Sequence, residues 1–284
     1  MNEPSKIDID RLAQWKGRQE IVDDIATHAP VAALTATLDR DDLAKSGDAL
    51  PPLWHWLYFL PHARQSQIGA DGHPKRGGFM PPVELPRRMW AGGRLRFGAP
   101  LRVGDSIRRT STIADVSAKH GRTGSLVFVL VKHEIESSSG GRISEEQDIV
   151  FRDMPSRGDA PPLQKAAPLD AAWRRDIAPD PVLLFRFSAL TFNGHRIHYD
   201  RSYATEAEFY PGLVVHGPLI ATLLADLARR NNDRALSSFD FRAVSPLFDT
   251  APFAVCGAPT DGGARLWAQN SSGGLAMEAE ARFT

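Results

Sequence analysis

The 284-residue chain has a single cysteine, Cys256, so no disulfide can form within it. That suits a reducing compartment. It has no excess of either charge, with 34 acidic and 34 basic residues. Without a bulk field nothing draws it to nucleic acid or to an anionic membrane, and neither is expected as a partner. No apolar run reaches the about 18 residues that would mark a membrane-spanning helix. The stretch Met1 to Asp10 is polar and acidic. It lacks the basic start and apolar core of a secretory signal, so a cytoplasmic location is expected. A P-loop, a dinucleotide-binding glycine pattern and a G-x-S-x-G elbow are all missing from the sequence. What is left has 42% hydrophobic and 24% charged residues, the balance of a soluble globular protein. The length allows one large domain or two ordinary ones.

The N-terminal half reads as helix followed by antiparallel sheet. Lys6 to Gln19 suits a helix capped by Asp8 or Asp10, and Glu20 to Leu38 a weak continuation carrying Ile21, Ile25, Val31 and Leu34. Leu53 to Leu60, bounded by prolines, suits a buried strand or a core segment. Residues 65–86 are rich in Gly and Pro and read as a loop, while Phe79, Met80 and Val83 argue that it is folded and functional. From Ser106 the period becomes two. Ser106 to Val116, Ser125 to Glu136 and Arg142 to Arg152 are expected strands joined by hairpin turns.

Met154 to Asp170 has the Pro-, Ala- and charge-rich composition of a linker. Beyond it Trp173 to Ile177 re-enters structure, and Leu183 to Leu190 is an expected strand. A helix is expected from about Gly217 to Arg230. Four strand candidates follow, Leu236 to Val244, Pro252 to Gly257, Ala264 to Ala268 and Gly274 to Phe283. The fold class is therefore α+β, with one architecture repeated in tandem. The expected division is residues 1–155, a linker at 156–172 and residues 173–284.

Chemistry concentrates in Phe187 to Leu219, which carries His195, His198 and His216 among polar residues ahead of a helix start. A metal pair at His195 and His198 has no third ligand at a recognisable spacing. General acid–base work suits them better than a turn-bonding histidine does, because Asn193 precedes both and its amide can hold a water. His216 and Gly217 open the amphipathic helix, with Pro218 at its first turn. Free N–H groups there can hold a carbonyl oxygen that gains negative charge, and glycine lets a ligand approach. Arg87, Arg88 and Arg186 are candidates for binding a carboxylate or phosphate.

The strings FSALTFNGHRIHYD (187–200) and YPGLVVHGPL (210–219) resemble the hydratase-2 motif of MaoC-like hot-dog enzymes. In that motif an S/T-x-G-D-x-N-P-I-H turn precedes a helix entered through A-H-G. Its final histidine falls on His198, its aspartate on Asn193, its asparagine on His195 and its proline on Arg196. DGHPKRGGFMPPVELPRRMWAGG (71–93), GRTGSLVFV (121–129), FDFRAVSPLFDTAPF (239–253) and LWAQN (266–270) are similar to the branch holding 3-hydroxyacyl-thioester dehydratases and the mesaconyl-C4-CoA and itaconyl-CoA hydratases.

The resemblance implies a double hot-dog, two curved antiparallel sheets each wrapped round a helix. The second unit would be catalytic, and the degenerate first unit would shape the substrate cavity. It implies an enoyl-CoA substrate, no separate cofactor because CoA is part of that substrate, and no metal. In this reading His198 is the general base, Asn193 holds the water and Gly217 N–H polarises the thioester. His195, His216, Arg87, Arg88 and Arg186 line the substrate site. Open sheet edges make a homodimer expected.

Overall fold

The computed structural model describes residues 7–42, 44–121, 124–154 and 164–284. Asp8 caps α1 (Ile9–Ala13), accepting from the Arg11 N–H at 3.0 Å. The helix expected to continue from Glu20 is instead strand β1 (Gln19–Ile25), followed by α2 (His28–Thr37). Cross-strand partners decide this. β1 pairs along its whole length with β3, where Arg108 forks onto Asp23. Leu53 to Leu60 is core, folded round the short 3-10 turn Trp54–Leu57 and not a strand. Left-handed backbone at Leu53 and Phe59 closes off either end. Strands β2 (Arg87–Phe97), β3 (Ser106–Gly121), β4 (Gly124–Ser137) and β5 (Arg142–Arg152) complete the first half.

The second half runs β6 (Trp173–Ile177), α3 (Pro181–Leu190), α4 (Gly217–Asn231), β7 (Leu236–Ala243), β8 (Phe253–Thr260), β9 (Gly263–Asn270) and β10 (Leu275–Phe283). The strand expected at Leu183 to Leu190 is helix α3. Asp180 Oδ1 accepts from the Val182 and Leu183 N–H groups, and Pro181 sits in the first turn. That start satisfies backbone donors which a strand would have to pair elsewhere. Residues 156–163 of the expected linker lie outside the described residues. Its remainder is packed, not free: Ala166 bridges Gly274, and Asp170 pairs with Arg265.

All ten strands form one antiparallel sheet in the order β1-β3-β4-β5-β2-β7-β10-β9-β8-β6. Each half repeats the other in mirror order, and β2 against β7 is the seam. A Cβ on Gly92 would stand 2.7 Å from the Phe241 carbonyl oxygen, and one on Gly93 2.7 Å from the Phe241 ring. The two glycines of RRMWAGG therefore admit β7, and beside them Trp56 packs edge to face on Trp90 and Phe241, which tilt against each other.

One apolar core crosses the seam, running from Ala26 to Phe283 through α2, α3 and α4. Leu219 to Ala228 of α4 are all buried, and the second half wraps round this helix. In the first half α2 and the Trp54–Leu57 turn take that place, and no helix of α4's length forms among the described residues. A polar knot fills the space. Glu145 accepts from Trp56 Nε1 at 3.0 Å and Gln147 Nε2 at 2.8 Å, and faces His55 Nε2 at 3.0 Å.

The Gly/Pro loop at 65–86 is fixed from two sides. Val83 and Leu85, with Phe79 and Met80, pack in a second apolar cluster with Val116, Val127 and Phe151. Arg76 donates to the carbonyls of Val83, Leu85 and Pro86 and lies over the Phe151 ring.

Candidate active site

Helix α3 ends into the turn that carries the predicted residues. Asn193 N–H returns to the Ser188 carbonyl at 2.8 Å, and Asn193 Oδ1 accepts from His195 N–H at 3.0 Å. One lone pair of the amide expected to hold water is thus used on the turn, and Asn193 keeps its Nδ2 donors for a ligand. The 3-10 turn Arg196–His198 follows and delivers His198 to the interior.

His198 Nδ1–H donates to the Val214 carbonyl at 2.7 Å. This fixes the tautomer, leaving Nε2 with its lone pair outward from the bond. Burial drives the ring down to about 4, against the Val214 carbonyl, which favours the protonated form. His198 is therefore a neutral base at neutral pH.

His216 is fully buried and stacks on His198 with centroids 3.7 Å apart and planes at 18°. Its Nε2 faces Ser188 Oγ at 2.8 Å, while its Nδ1 is buried without a partner. Burial, then His198 and His195, hold it well below its ordinary value. His216 is also the N-cap of α4, with no side-chain cap bond. No acceptor meets the Gly217 N–H among the described residues. The nearest atom to a Cβ placed there is the Trp90 carbonyl oxygen, at 3.9 Å. The helix start thus offers a free donor beside the histidines.

The fold adds two residues that the sequence reading did not single out. The loop at 65–86 crosses from the first half and docks through its backbone on the turn that carries His195 and His198. Arg196 N–H donates to the Asp71 carbonyl at 2.9 Å, and Arg196 Nη1 to the Ala70 carbonyl at 3.0 Å. Gly72 and Gly194 meet back to back, where a Cβ on Gly72 would stand 1.8 Å from the Gly194 oxygen.

This brings His73 against His195, with centroids 4.2 Å apart, and His195 lies 5.4 Å from His198. Asp71 Oδ2 faces His73 Nδ1 at 3.0 Å. Burial and then Arg88 push His73 down to about 4, with Asp71 pulling the other way. Burial works to raise Asp71, but its bonds to His73 overcome this and leave it well below the usual carboxylate range. His195 is depressed by burial and by His73 and His198. The chemical signal for this pair was in the sequence, an aspartate and a histidine two apart inside a folded Gly/Pro loop. What joins them to His195 is tertiary. Asp71, His73 and His195 hold donor atoms within 4.8 Å of one another, a spacing a cation could use. The charge of Arg88 opposes one there.

The three predicted arginines separate. Arg87 is committed to Glu208 at 2.8 Å and lies over the Tyr210 ring. Arg186 is exposed on the outer face of α3, away from the histidines, because the Leu184, Phe187 and Ser188 side takes the core. Arg88 points into the site beside His73 and Asp71, and burial lowers it to about 10. No hydrogen bond or ion pair engages its guanidinium among the described residues.

A model of the hydroxyacyl-thioester dehydratase type 2 family matches residues 53–249, which span the loop, the turn and α4. The chain belongs to that family. It is a hydro-lyase of the MaoC-like hot-dog class. It is 50% identical over 266 residues to the mesaconyl-C4-CoA hydratase of Chloroflexus aurantiacus, covering 93% of this chain and 95% of that one. A MaoC-like dehydratase from Phytophthora capsici superposes with a TM-score of 0.69 at 12% identity, over 98% of each chain. A Mycobacterium tuberculosis protein described as having a double hot-dog fold superposes at 0.60 and 13% identity, over 94% of this chain and 95% of that one. These two likenesses carry the fold, a double hot-dog.

Proposed function

We propose that the protein adds water reversibly across the double bond of a short dicarboxylic enoyl-CoA. Mesaconyl-C4-CoA or itaconyl-CoA is the substrate, and a hydroxyacyl-CoA such as citramalyl-CoA the product. The observation that carries this is the neutral, tautomer-fixed His198 beside the free Gly217 N–H. His198 Nε2 takes a proton from water as the water oxygen bonds to the β-carbon. Gly217 N–H receives the thioester oxygen as it gains charge. Asn193 Nδ2 orients the water. His195 and His216 wall the site. No added cofactor is required, since CoA belongs to the substrate. The same reading takes the protein as cytoplasmic and as a homodimer.

The dicarboxylic preference rests on Arg88. Arg88 is half-buried and its guanidinium has no hydrogen-bonded anion, only the charge of nearby Asp71, so a substrate carboxylate would complete a direct pair. A relative named for mesaconyl-C4-CoA supports that choice. The family description favours a second reading, dehydration of a 3-hydroxyacyl thioester in fatty-acid metabolism, which would leave Arg88 unpaired. A panel of mesaconyl-C4-, itaconyl- and crotonyl-CoA separates the two, followed by loss of the enoyl thioester chromophore with free CoA measured beside it. His198→Ala is expected to lose about 10²–10⁴-fold in kcat. Arg88→Met is expected to lose the dicarboxylic preference by ~10–100-fold, the worth of hydrogen bonds to a charged group. A wild-type preference for crotonyl-CoA, with Arg88→Met neutral, would overturn the substrate. Release of CoA without hydration would make the protein a thioesterase, and binding with neither reaction an acyl-CoA-binding module.

A further inference from the structure

His73, His195, His198 and His216 form one row, His73 half-buried and the other three buried, with successive centroids 4.2, 5.4 and 3.7 Å apart. Burial keeps all four neutral at rest. Adding water puts a proton into this row. A row of desolvated imidazoles resists a charge unless an anion stands against it. At position 193, where a carboxylate would serve, the chain has a neutral amide whose oxygen is already bonded to His195 N–H. The carboxylate that does touch the row comes from the other half of the molecule, through the docked loop.

We propose, resting on the hydration reading above, that Asp71 acts through His73 as the counter-charge for the proton taken from water, replacing the carboxylate missing at position 193. Asp71 is then a positioning residue. The water O–H bond breaks as its oxygen bonds to the β-carbon, and the proton passes to His198 Nε2. The π pair moves into the enolate held at Gly217 N–H. The row gives one proton to the α-carbon and returns to neutral, and Asp71 stays ionised throughout.

The groups facing the row are Asp71, Arg76 and Arg88 from the first half, with Tyr203 beyond Asp71. Arg88 and Arg76 disfavour charge on His73, and Asp71 favours it on both His73 and His195. A substrate carboxylate on Arg88 would offset that cation and leave Asp71 as the deciding charge.

The test is Asp71→Asn, alone and with Asn193→Asp. Asparagine keeps an oxygen for the His73 N–H, which Asp71 Oδ1 now accepts at 3.0 Å, and the loop's backbone bonds to Arg196 do not involve the side chain. Asp71→Asn is expected to lower kcat by ~10²-fold with KM unchanged. The acid limb of the kcat profile should move to lower pH, because removing the anion lowers the proton affinity of the row. Asn193→Asp in the same chain should restore much of the lost kcat. Wild-type kcat in Asp71→Asn would overturn the proposal. So would a loss confined to KM, with an unmoved acid limb and no rescue. A wild-type protein that hydrates none of the three enoyl-CoAs would sink the hydration reading and this proposal with it. An active wild type beside an equally active Asp71→Asn sinks this proposal alone.

Discussion

Gly72→Ala is a severe test of the idea that two halves build one site. Gly72 has φ +91°, and a Cβ there would stand 1.8 Å from the Gly194 oxygen, 2.8 Å from its carbon and 3.3 Å from Arg196 N. All three are backbone atoms of the turn that carries His195 and His198, so no side chain can swing aside. Real Cβ contacts stay beyond 3.0 Å, and the loop must therefore retreat by at least 1.2 Å, the difference between 3.0 and 1.8 Å. That retreat strips the Arg196 N–H from the Asp71 carbonyl and draws His73 off His195. A displacement of about 1 Å in a catalytic constellation typically costs ~10²-fold in rate.

Gly77→Ala is the control. It lies in the same loop at φ +97°, and its Cβ would meet only Pro82 Cβ, at 3.8 Å. Both variants carry the same left-handed strain, about 1–3 kcal/mol in a non-glycine residue. The denaturation midpoint of Gly72→Ala should fall further than that of Gly77→Ala, because it adds the backbone clash to this strain. Only Gly72→Ala should lose kcat/KM by ~10²-fold on the preferred enoyl-CoA. Equal activity in the two variants would refute the claim that this contact sets the site.

Two further predictions concern stability. Asp226, fully buried on α4, is shared by Arg40, Arg175, Arg229 and Arg230 at 2.6, 3.3, 3.8 and 2.6 Å. Asp226→Asn leaves four guanidinium groups without that anion and should cost about 3–5 kcal/mol in a urea melt; a cost under about 1 kcal/mol would mean the cluster is solvated. His73, His133 and His198 are held by burial at about 4, and His195 and His216 are also depressed, all from an ordinary 6.5. The unfolded chain therefore binds protons first as pH falls. Stability is complete above 6.5 and is lost on the way down to about 4, each ring adding up to ~1.4 kcal/mol per pH unit. A denaturation midpoint unchanged between about pH 7 and about pH 5 would contradict the burial of the row.

Much of this molecule is legible in its sequence wherever one face of an element is buried. β5 runs over Arg142–Arg152 as alternation predicts, and α4 begins at Gly217 where the H-G-P start places it. The misreadings have physical causes. β1 is an edge strand with Ile21 and Ile25 facing solvent, 59% and 52% exposed, so its apolar residues report no core. It is a strand because β3 pairs with it, and that partner lies some 85 residues away. α3 hid inside an apolar run, although Asp180-Pro181 is a cap-and-first-turn pair that marks a helix start. The site divided the same way. His198, His216 and Gly217 sit in one local stretch, and the fold brings them together. Asp71, His73 and Arg88 sit more than a hundred residues earlier, and no spacing rule connects them to His195.

The mirror order of the strands explains why that connection exists. In the second half the chain between α3 and β7 spends its length on the turn that carries His195 and His198 and on the buried helix α4. The corresponding chain in the first half, between α2 and β2, forms no such helix among the described residues. Its core side is filled by Trp54, Leu57, Tyr58 and the Glu145 knot. The length so released becomes the loop at 65–86, held on one side by Arg76 and the second apolar cluster and on the other by backbone contact with Gly194 and Arg196. The loop thus brings the Asp71 carboxylate and His73 against His195. It also ties the geometry of His195 to glycine at position 72, because only a residue without a Cβ lets two backbones meet there.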